Sequence, residues 1–218
     1  MAAPTVAGER SARERMVYYA AQLIRRQGVS GTGLREVVAR AQAPRGSLQH
    51  YFPGGKEQLV DEALAWAGDF AATQVSQFLE SLPRRTPSAL FEAMAGQWRR
   101  EFDRTGFGRG CPIVATVADA SASDRMREAA RQAFERWHEP LAAALAEMGV
   151  PADRAGALAL LMLSTLEGAI VFARARHDNG PLDTVVAELG PLLDSAAGGR
   201  RRADTYPDRC LPGDGLPC

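Results

Sequence analysis

The sequence predicts an all-α fold of about nine helices, divided into a small N-terminal three-helix unit and a larger C-terminal helical domain. Apolar residues recur at spacings of three and four along nearly the whole chain, which is typical of amphipathic helices. No stretch of four to eight residues alternates between apolar and polar positions, so strands are not expected. Glycine and proline interrupt the pattern repeatedly and mark the ends of the helices.

The N-terminal unit contains three predicted helices. The first covers about 10–27 and ends at Gly28, since glycine commonly terminates a helix. The second covers about 34–41 and follows Thr32 and Gly33, of which glycine is a usable but weaker N-cap. The segment Gln42-Ala43-Pro44 turns the chain. A short third helix then follows within RGSLQHYFPGGKEQL (45–59), and Pro53-Gly54-Gly55 ends it.

Six further helices are expected in the rest of the chain. Thr86-Pro87 reads as the N-cap and first residue of one helix, and Cys111-Pro112 opens another. Pro140 is expected to kink the predicted helix at about 124–148. In chain order, the predicted ranges are about 56–82, 87–104, 112–120, 124–148, 152–176 and 182–196.

These helices divide the chain into four expected segments. They are a disordered N-terminus at 1–9, the three-helix unit at 10–57, the second helical domain at 58–197, and a disordered tail at 198–218. Residues 1–57 hold nine Arg or Lys against four Asp or Glu, although the whole chain has no net charge. A basic first part beside an acidic remainder hints that the first part faces nucleic acid.

The second and third predicted helices, with the turn between them, form the helix-turn-helix pattern that places its second helix in the DNA major groove. Leu48 and Phe52 are spaced to share an inward face that anchors the short helix. Gly46 would let the backbone approach the duplex closely. A solvated connector with an unremarkable polar surface is the alternative. We expect the following side chains to point outward near the helix N-terminus: Arg45, Ser47, Gln49 and His50.

The segment GVSGTGLREVVARAQAPRGSLQHYFPGGKEQLVDEAL (28–64) resembles the DNA-binding domain of the TetR family of bacterial regulators. The resemblance implies base reading by Arg45 and Ser47 and phosphate contacts by Tyr51 and Lys56. Gln49 replaces the usual aromatic residue and could read adenine, while Gly33 removes one expected phosphate contact. The full predicted DNA-binding set is Thr32, Arg35, Arg45, Gly46, Ser47, Gln49, His50, Tyr51 and Lys56.

The segments GRGCPIVATVADAS (108–121) and STLEGAIVFARARHDNGPLDTVVAEL (164–189) are similar to the LmrA/YxaF-like branch of that family. The resemblance implies a small aromatic effector bound in the second domain. Pockets combine apolar walls with a few polar anchors, although most such residues at helical spacing simply form core. A buried Glu167 needs a partner, which could be Arg174, an interface group or the ligand. The predicted ligand-binding residues are Met94, Trp98, Phe102, Phe134, Trp137, His138, Met162, Thr165 and Glu167.

The apolar stretch 155–173 is expected to be a buried helix of a homodimer. Glu167 near its middle argues against a membrane span, because a charge at bilayer depth is expensive. With helix 182–196 it would form half of an intersubunit four-helix bundle. A dimer is expected because a palindromic operator requires two DNA-binding units. An intramolecular core helix is the alternative. The predicted interface residues are Leu161, Ile170, Val185, Leu189 and Leu192.

Neither enzymatic chemistry nor a cofactor or metal is expected. The patterns G-x-S-x-G, H-E-x-x-H and the P-loop do not occur, and the three histidines lie on separate elements. Cys111, Cys210 and Cys218 lack metal-ligand spacing. Redox sensing through Cys111 is a minor alternative, because a helix N-terminus lowers a thiol pKa. No secretory leader is recognised, so a cytoplasmic protein is expected.

The function favoured by these observations is a ligand-responsive repressor. We expect it to bind a palindromic double-stranded operator as a homodimer and to be released by a small hydrophobic or aromatic effector, with no role for a membrane. Two alternatives are a helical DNA-binding protein without ligand response and, less favoured, an α-helical enzyme.

Overall fold

The structure, a computed structural model, describes residues 10–44, 46–119 and 121–198. Within these ranges it contains nine α-helices and no strand, which confirms the predicted all-α class. The helices are α1 (Ala12–Gly31), α2 (Leu34–Arg40), α3 (Ser47–Tyr51), α4 (Gly55–Ser81), α5 (Pro87–Thr105), α6 (Pro112–Val117), α7 (Asp124–Glu147), α8 (Ala152–Arg176) and α9 (Gly180–Gly198).

Local sequence signals account for most helix ends. Ser11 and Glu14 form a reciprocal capping box at the start of α1. The helix changes direction at Gly28, whose φ of 74° favours glycine. Thr86 caps α5 with Pro87 at its first position. Three predicted ends differ: α1 continues past Gly28 to Gly31, α6 stops at Val117 instead of near 120, and α9 reaches Gly198, into the segment predicted to be disordered. The other residues of both predicted disordered segments lie outside the described ranges.

The buried residues form two apolar cores. The first joins α1, α2, the end of α3 and the first half of α4, and it continues into α6 and the start of α7 through Ile113, Met126 and Ala130. The second core joins the C-terminal half of α4 with α5, α7, α8 and α9. Because α6 and α7 help to complete the first core, the N-terminal three-helix unit (α1–α3, here called the head) packs directly on the second domain.

Helix α4 crosses from one core to the other and packs closely against α7. A Cβ atom at Gly68 would lie 2.8 Å from the carbonyl oxygen of Ala133, so only glycine permits this approach. Ion pairs at the surface also tie α4 to its neighbours: Arg13 with Glu62, Arg125 with Asp61, and Arg136 with Asp69.

Helix α8 is long and apolar enough to cross a membrane by length and composition alone. Within the protein, 44% of its most apolar window is buried. It packs on α7 and α9, and Glu167 lies among its buried residues. These contacts agree with the expected buried helix of a helical domain.

Candidate nucleic-acid interface

The turn between α2 and α3 is tight and held from two sides. Gln42 adopts a φ of 50°, and the backbone N–H of Ala43 donates to the carbonyl of Val38 at 3.1 Å. The guanidinium Nε of Arg15 on α1 donates to the carbonyl of Ala41 at 2.8 Å. These contacts fix the orientation of α3 relative to α1 and α2.

Helix α3 has only five residues and depends on tertiary contacts. Phe52 directly after it is fully buried, and Leu48 packs against the same core. The guanidinium of Arg13 lies 5.3 Å from the centre of the Phe52 ring. The expected inward face of Leu48 and Phe52 is therefore confirmed.

The opposite side of α3 presents polar groups outward. Gln49 and His50 are exposed, and Ser47 at the first helical position is half-buried. The hydroxyl of Ser47 donates to the carbonyl of Pro44 at 2.6 Å, which leaves its oxygen free to accept. A Cβ atom on exposed Gly46 would meet nothing within 4 Å, so internal packing does not require glycine there. Arg45, which was also predicted to read bases, lies outside the described residues.

The residues predicted to contact phosphates differ in how far their side chains are exposed. Lys56 is the second residue of α4, where free backbone N–H groups favour anions. Arg35 is exposed on α2, and Tyr51 is half-buried beside His50. Thr32 requires a correction: it is only 3% exposed, and its hydroxyl donates to the carbonyl of Gly28 at 2.7 Å. Its hydroxyl stabilises the end of α1 and does not face outward.

A helix-turn-helix with an outward polar recognition helix, carried on the basic part of the chain, defines a DNA-binding regulator. Residues 19–63 match the family model described as bacterial regulatory proteins, tetR family. Residues 87–188 match the model described as transcriptional regulator LmrA/YxaF-like, C-terminal domain. The chain therefore belongs to the TetR family of transcriptional regulators, in its LmrA/YxaF-like branch.

Similar proteins agree with this assignment. A protein of Mycobacterium tuberculosis, described as an uncharacterized HTH-type transcriptional regulator, is 42% identical over 187 residues, covering 83% of this chain and 93% of that protein. YxaF of Bacillus subtilis, described in the same words, is 30% identical over 182 residues, covering 83% and 94%. A TetR transcriptional regulator from Legionella pneumophila shares the fold, with a TM-score of 0.71, 20% identity, and coverage of 85% and 99%. The chain is a regulator and not an enzyme.

Most of the residues predicted to bind the effector are engaged in packing or hydrogen bonding within the subunit. Trp98 and Phe134 pack against both cores and so mark the place where the cores meet. Thr165 is half-buried on α8. His138 is already engaged, because its Nε2 lies 2.8 Å from the carbonyl oxygen of Gly156. The remaining apolar members are buried within the second core: Met94, Phe102, Trp137 and Met162.

Two open grooves lie on either side of α4, with volumes of about 330 and 340 Å³. The first lies between α1 and α4 beside Trp66, and the second lies between α4 and α7 beside Ala129. Neither groove is lined by a residue from the predicted effector-binding set.

Glu167 is buried in the protein and lies next to the thiol of Cys111. Neither of its carboxylate oxygens receives a hydrogen bond of ordinary geometry from the described residues. Burial raises the pKa of Glu167 to about 7, against the lowering effects of the Cys111 thiol and the Arg25 charge. The suggested partner Arg174 instead donates its Nε to the carbonyl of Phe107 at 3.2 Å.

Cys111 occupies the predicted N-cap of α6, but its electrostatics differ from the expectation. The side chain is 7% exposed. Burial, followed by the neighbouring carboxylate of Glu167, raises the pKa of the thiol well above its ordinary value. A protonated, buried thiol is a poor nucleophile, so the structure argues against redox sensing through Cys111.

The expected interface residues divide between surface and interior. Leu161 and Leu192 are exposed, and Val185 is half-buried. Ile170 and Leu189 are buried inside the subunit, at 1% and 7% exposure, and this corrects their expected outward position. The sequence pattern did not show that three other apolar side chains on α8 are exposed: Leu160, Val171 and Phe172.

The sequence pattern also did not predict the hydrogen bonds that join α1 to the two ends of the α6 segment. Arg25 donates its Nε to the carbonyl of Gly110 at 2.9 Å, and the N–H of Gly110 donates back to the carbonyl of Arg25 at 2.8 Å. At the other end of α6, Asp119 accepts hydrogen bonds from Ser30. A basic and an acidic residue at helix ends are common, so the sequence contains no specific signal for these contacts.

Proposed function

We propose that this TetR-family regulator is a cytoplasmic, ligand-responsive repressor. In this proposal a homodimer binds a palindromic operator, and a small aromatic effector releases it. The outward polar face of α3, opposite the buried Phe52, is the observation that carries the proposal.

Base reading would use the N-terminal side chains of α3. Ser47 offers an acceptor, and the exposed amide of Gln49 can form a paired contact with adenine. Exposed Gly46 permits close approach, and Lys56 at the start of α4 would hold a phosphate. Together they would supply both register and sequence preference.

Dimerisation would use the apolar face left uncovered on α8 and α9. Five large apolar side chains there are between 45% and 65% exposed: Leu160, Leu161, Val171, Phe172 and Leu192. A surface of this kind marks an interaction site. A two-fold axis between paired α8 and α9 helices would give an intersubunit four-helix bundle and two heads spaced for a palindrome.

The effector would act where the two cores meet. Trp98 and Phe134 supply aromatic surface at that place, and Glu167 supplies a polar group. Because α4 joins Lys56 to the second core, and α6 joins the head to α8 through Cys111, an effector there would change the relative position of the two heads. Release follows if the effector binds more tightly to the conformation whose heads are wrongly spaced.

In vitro selection from a random double-stranded DNA library tests this proposal. Purified full-length protein should enrich an inverted repeat whose half-site centres lie about 34–36 Å apart, or a multiple of that distance. Enrichment of no symmetric sequence at low ionic strength would contradict dimeric operator binding. Screening aromatic compounds for release of the selected DNA then tests the effector response.

A helical DNA-binding protein without ligand response remains the second candidate. The tight burial of Met94, Phe102 and Met162 favours it, because these residues leave no open wall for a ligand. Thermal-shift screening separates the two. Stabilisation by a class of aromatic compounds supports the sensor, and stabilisation by none supports the second candidate.

A further inference from the structure

The junction of α1, α6 and α8 contains a buried acid whose hydrogen bonding is incomplete. Glu167 projects from α8, Cys111 caps α6, and Arg25 belongs to α1 of the DNA-binding head. Glu167 is 8% exposed, and both of its carboxylate oxygens lack an ordinary hydrogen bond among the described residues. Burying a carboxylate without hydrogen-bond partners is costly, so the presence of Glu167 at this position requires an explanation.

The neighbouring guanidinium group of Arg25 already contacts several other groups. Arg25 donates Nε to the carbonyl of Gly110 at 2.9 Å and Nη1 to the amide oxygen of Gln22 at 3.4 Å. Its Nη2 lies 3.3 Å from a carboxylate oxygen of Glu101. The guanidinium also lies 5.4 Å from the ring centre of Trp98. Arg25 therefore influences Glu167 through space without satisfying its oxygens.

We propose that Glu167 is the polar anchor of the effector site, and that the effector is an aromatic compound carrying a cationic N–H group. This inference rests on the proposed ligand response and adds the chemical class of the ligand. A cationic donor fits better than a neutral one because it pairs with the ionised carboxylate, which burial otherwise disfavours. Trp98, whose ring centre lies 5.4 Å from the Arg25 guanidinium, and Phe134, which packs against both cores, would supply the aromatic surface.

The same site explains how binding reaches the DNA-binding head. A donor that approaches Glu167 must displace the thiol of Cys111, which starts α6. Gly110 is the next residue in the chain, and its backbone exchanges two hydrogen bonds with Arg25 of α1. A shift of Cys111 is therefore passed to the head across a single peptide unit. In this proposal the site opens when the ligand binds, and that opening is the conformational change.

Binding of the cation should also release protons. The pKa of Glu167 is raised to about 7 by burial, so part of the population carries a carboxyl proton at neutral pH. When the cationic group binds, the carboxyl O–H bond breaks and the proton passes to the buffer, leaving the carboxylate paired with the ligand.

Isothermal titration calorimetry with three matched probes tests the inference. The probes are 1-naphthylmethylamine, 1-naphthylmethanol and 1-naphthoic acid, which share one ring system and differ in charge. The full-length protein should bind the amine at least tenfold more tightly than the alcohol or the acid. Amine binding near pH 7 should release protons, measured as a dependence of the binding enthalpy on buffer ionisation enthalpy.

Three variants identify the anchor. Glu167→Gln keeps the size of the side chain and should lower amine affinity to that of the alcohol, with no proton release. Glu147→Gln, at an exposed position on α7, is the matched control and should retain the preference. Cys111→Ala keeps the carboxylate and removes its competitor, so the amine should bind at least as tightly as to the natural protein.

Several results would overturn the inference. They are equal binding of amine and alcohol by the natural protein, a preserved preference in folded Glu167→Gln, weaker amine binding by Cys111→Ala, or no binding of the amine. Operator binding without ligand is measured separately by gel shift. A protein that binds its operator but shows no amine preference refutes only this inference, whereas loss of operator binding refutes the proposed function.

Discussion

The Oδ2 atom of Asp119 accepts hydrogen bonds from both the backbone N–H and the hydroxyl of Ser30, at 2.8 and 2.9 Å. Its other oxygen accepts two from Ser121, at 2.9 and 2.6 Å. These bonds hold the pKa of Asp119 well below its usual range, those from Ser121 having the largest effect. With the bonds between Arg25 and Gly110, both ends of α6 are tied to α1.

The first prediction concerns this link. In Asp119→Ala, all four hydrogen bonds that the carboxylate accepts are lost, including both from Ser30. The free energy of unfolding should fall by about 1 kcal/mol, measured by urea denaturation. Amide hydrogen exchange at the end of α1 should become faster. Ser121→Ala is the control, since it removes one bond but leaves both bonds to Ser30. Unchanged exchange at Ser30 in Asp119→Ala would show that this contact does not hold α6 to α1.

The second prediction is a pH dependence of stability that comes from Glu167. Its pKa is raised from 4.5 to about 7 in the folded protein, so the folded state holds the proton more tightly than the unfolded state. The contribution of Glu167 to the free energy of unfolding should therefore decrease as pH rises through this interval. The decrease should total about 3 kcal/mol.

Comparison with Glu167→Gln isolates this contribution from those of other groups. Urea denaturation at pH 5 and pH 8 gives the free energy of unfolding of each protein. The natural protein should lose more stability between the two values than the variant does. Equal losses would show that the carboxyl group of Glu167 titrates normally.

The sequence predicted the helices well because their ends depend on local chemistry. Ser11, Thr86 and Ser123 cap helices where hydroxyl residues precede a periodic apolar pattern. Helix α6 is shorter than predicted, since the N–H of Ala118 bonds within the last turn and Asp119 turns outward to Ser30. That second contact joins residues 89 positions apart, which no local pattern can indicate.

The sites were predicted less completely because they depend on long-range packing. Helix α8 is apolar on nearly all sides, so its periodicity could not show that Ile170 faces inward while Phe172 faces outward. The neighbour of Glu167 is Cys111, on a different helix, and not Arg174, two turns further along α8. Thr32 is polar and close to the turn, yet its hydroxyl bonds inward to Gly28.

The third prediction tests the interaction surface of α8. Leu161→Glu and Phe172→Glu place a charge among exposed apolar side chains, which is inexpensive in a monomer but unfavourable inside an interface. Both variants should sediment as monomers in analytical ultracentrifugation and bind the operator at least tenfold more weakly. Val117→Glu, at a similarly exposed apolar position on α6, should remain dimeric. Dimers in both α8 variants would place the interface elsewhere.

The fourth prediction concerns base reading by Gln49. Gln49→Ala removes an exposed amide without altering the buried face of α3. Specific operator affinity should weaken by about 1–3 kcal/mol, and the preference at one base position should relax. Fluorescence anisotropy with labelled operators that differ at single positions measures both effects. Gln77→Ala on α4 is the control and should bind as the natural protein does. Identical affinity and preference for Gln49→Ala would exclude Gln49 from the reading set.

DNase I footprinting on the DNA upstream of the protein's own coding region tests whether α3 reads DNA bases. At low ionic strength and without effector, we expect a protected region with two-fold symmetry. A variant with Ser47, Gln49 and His50 all changed to alanine should lose the protection while keeping its fold. Protection without symmetry, or equal protection by that folded variant, would show that α3 does not read the operator.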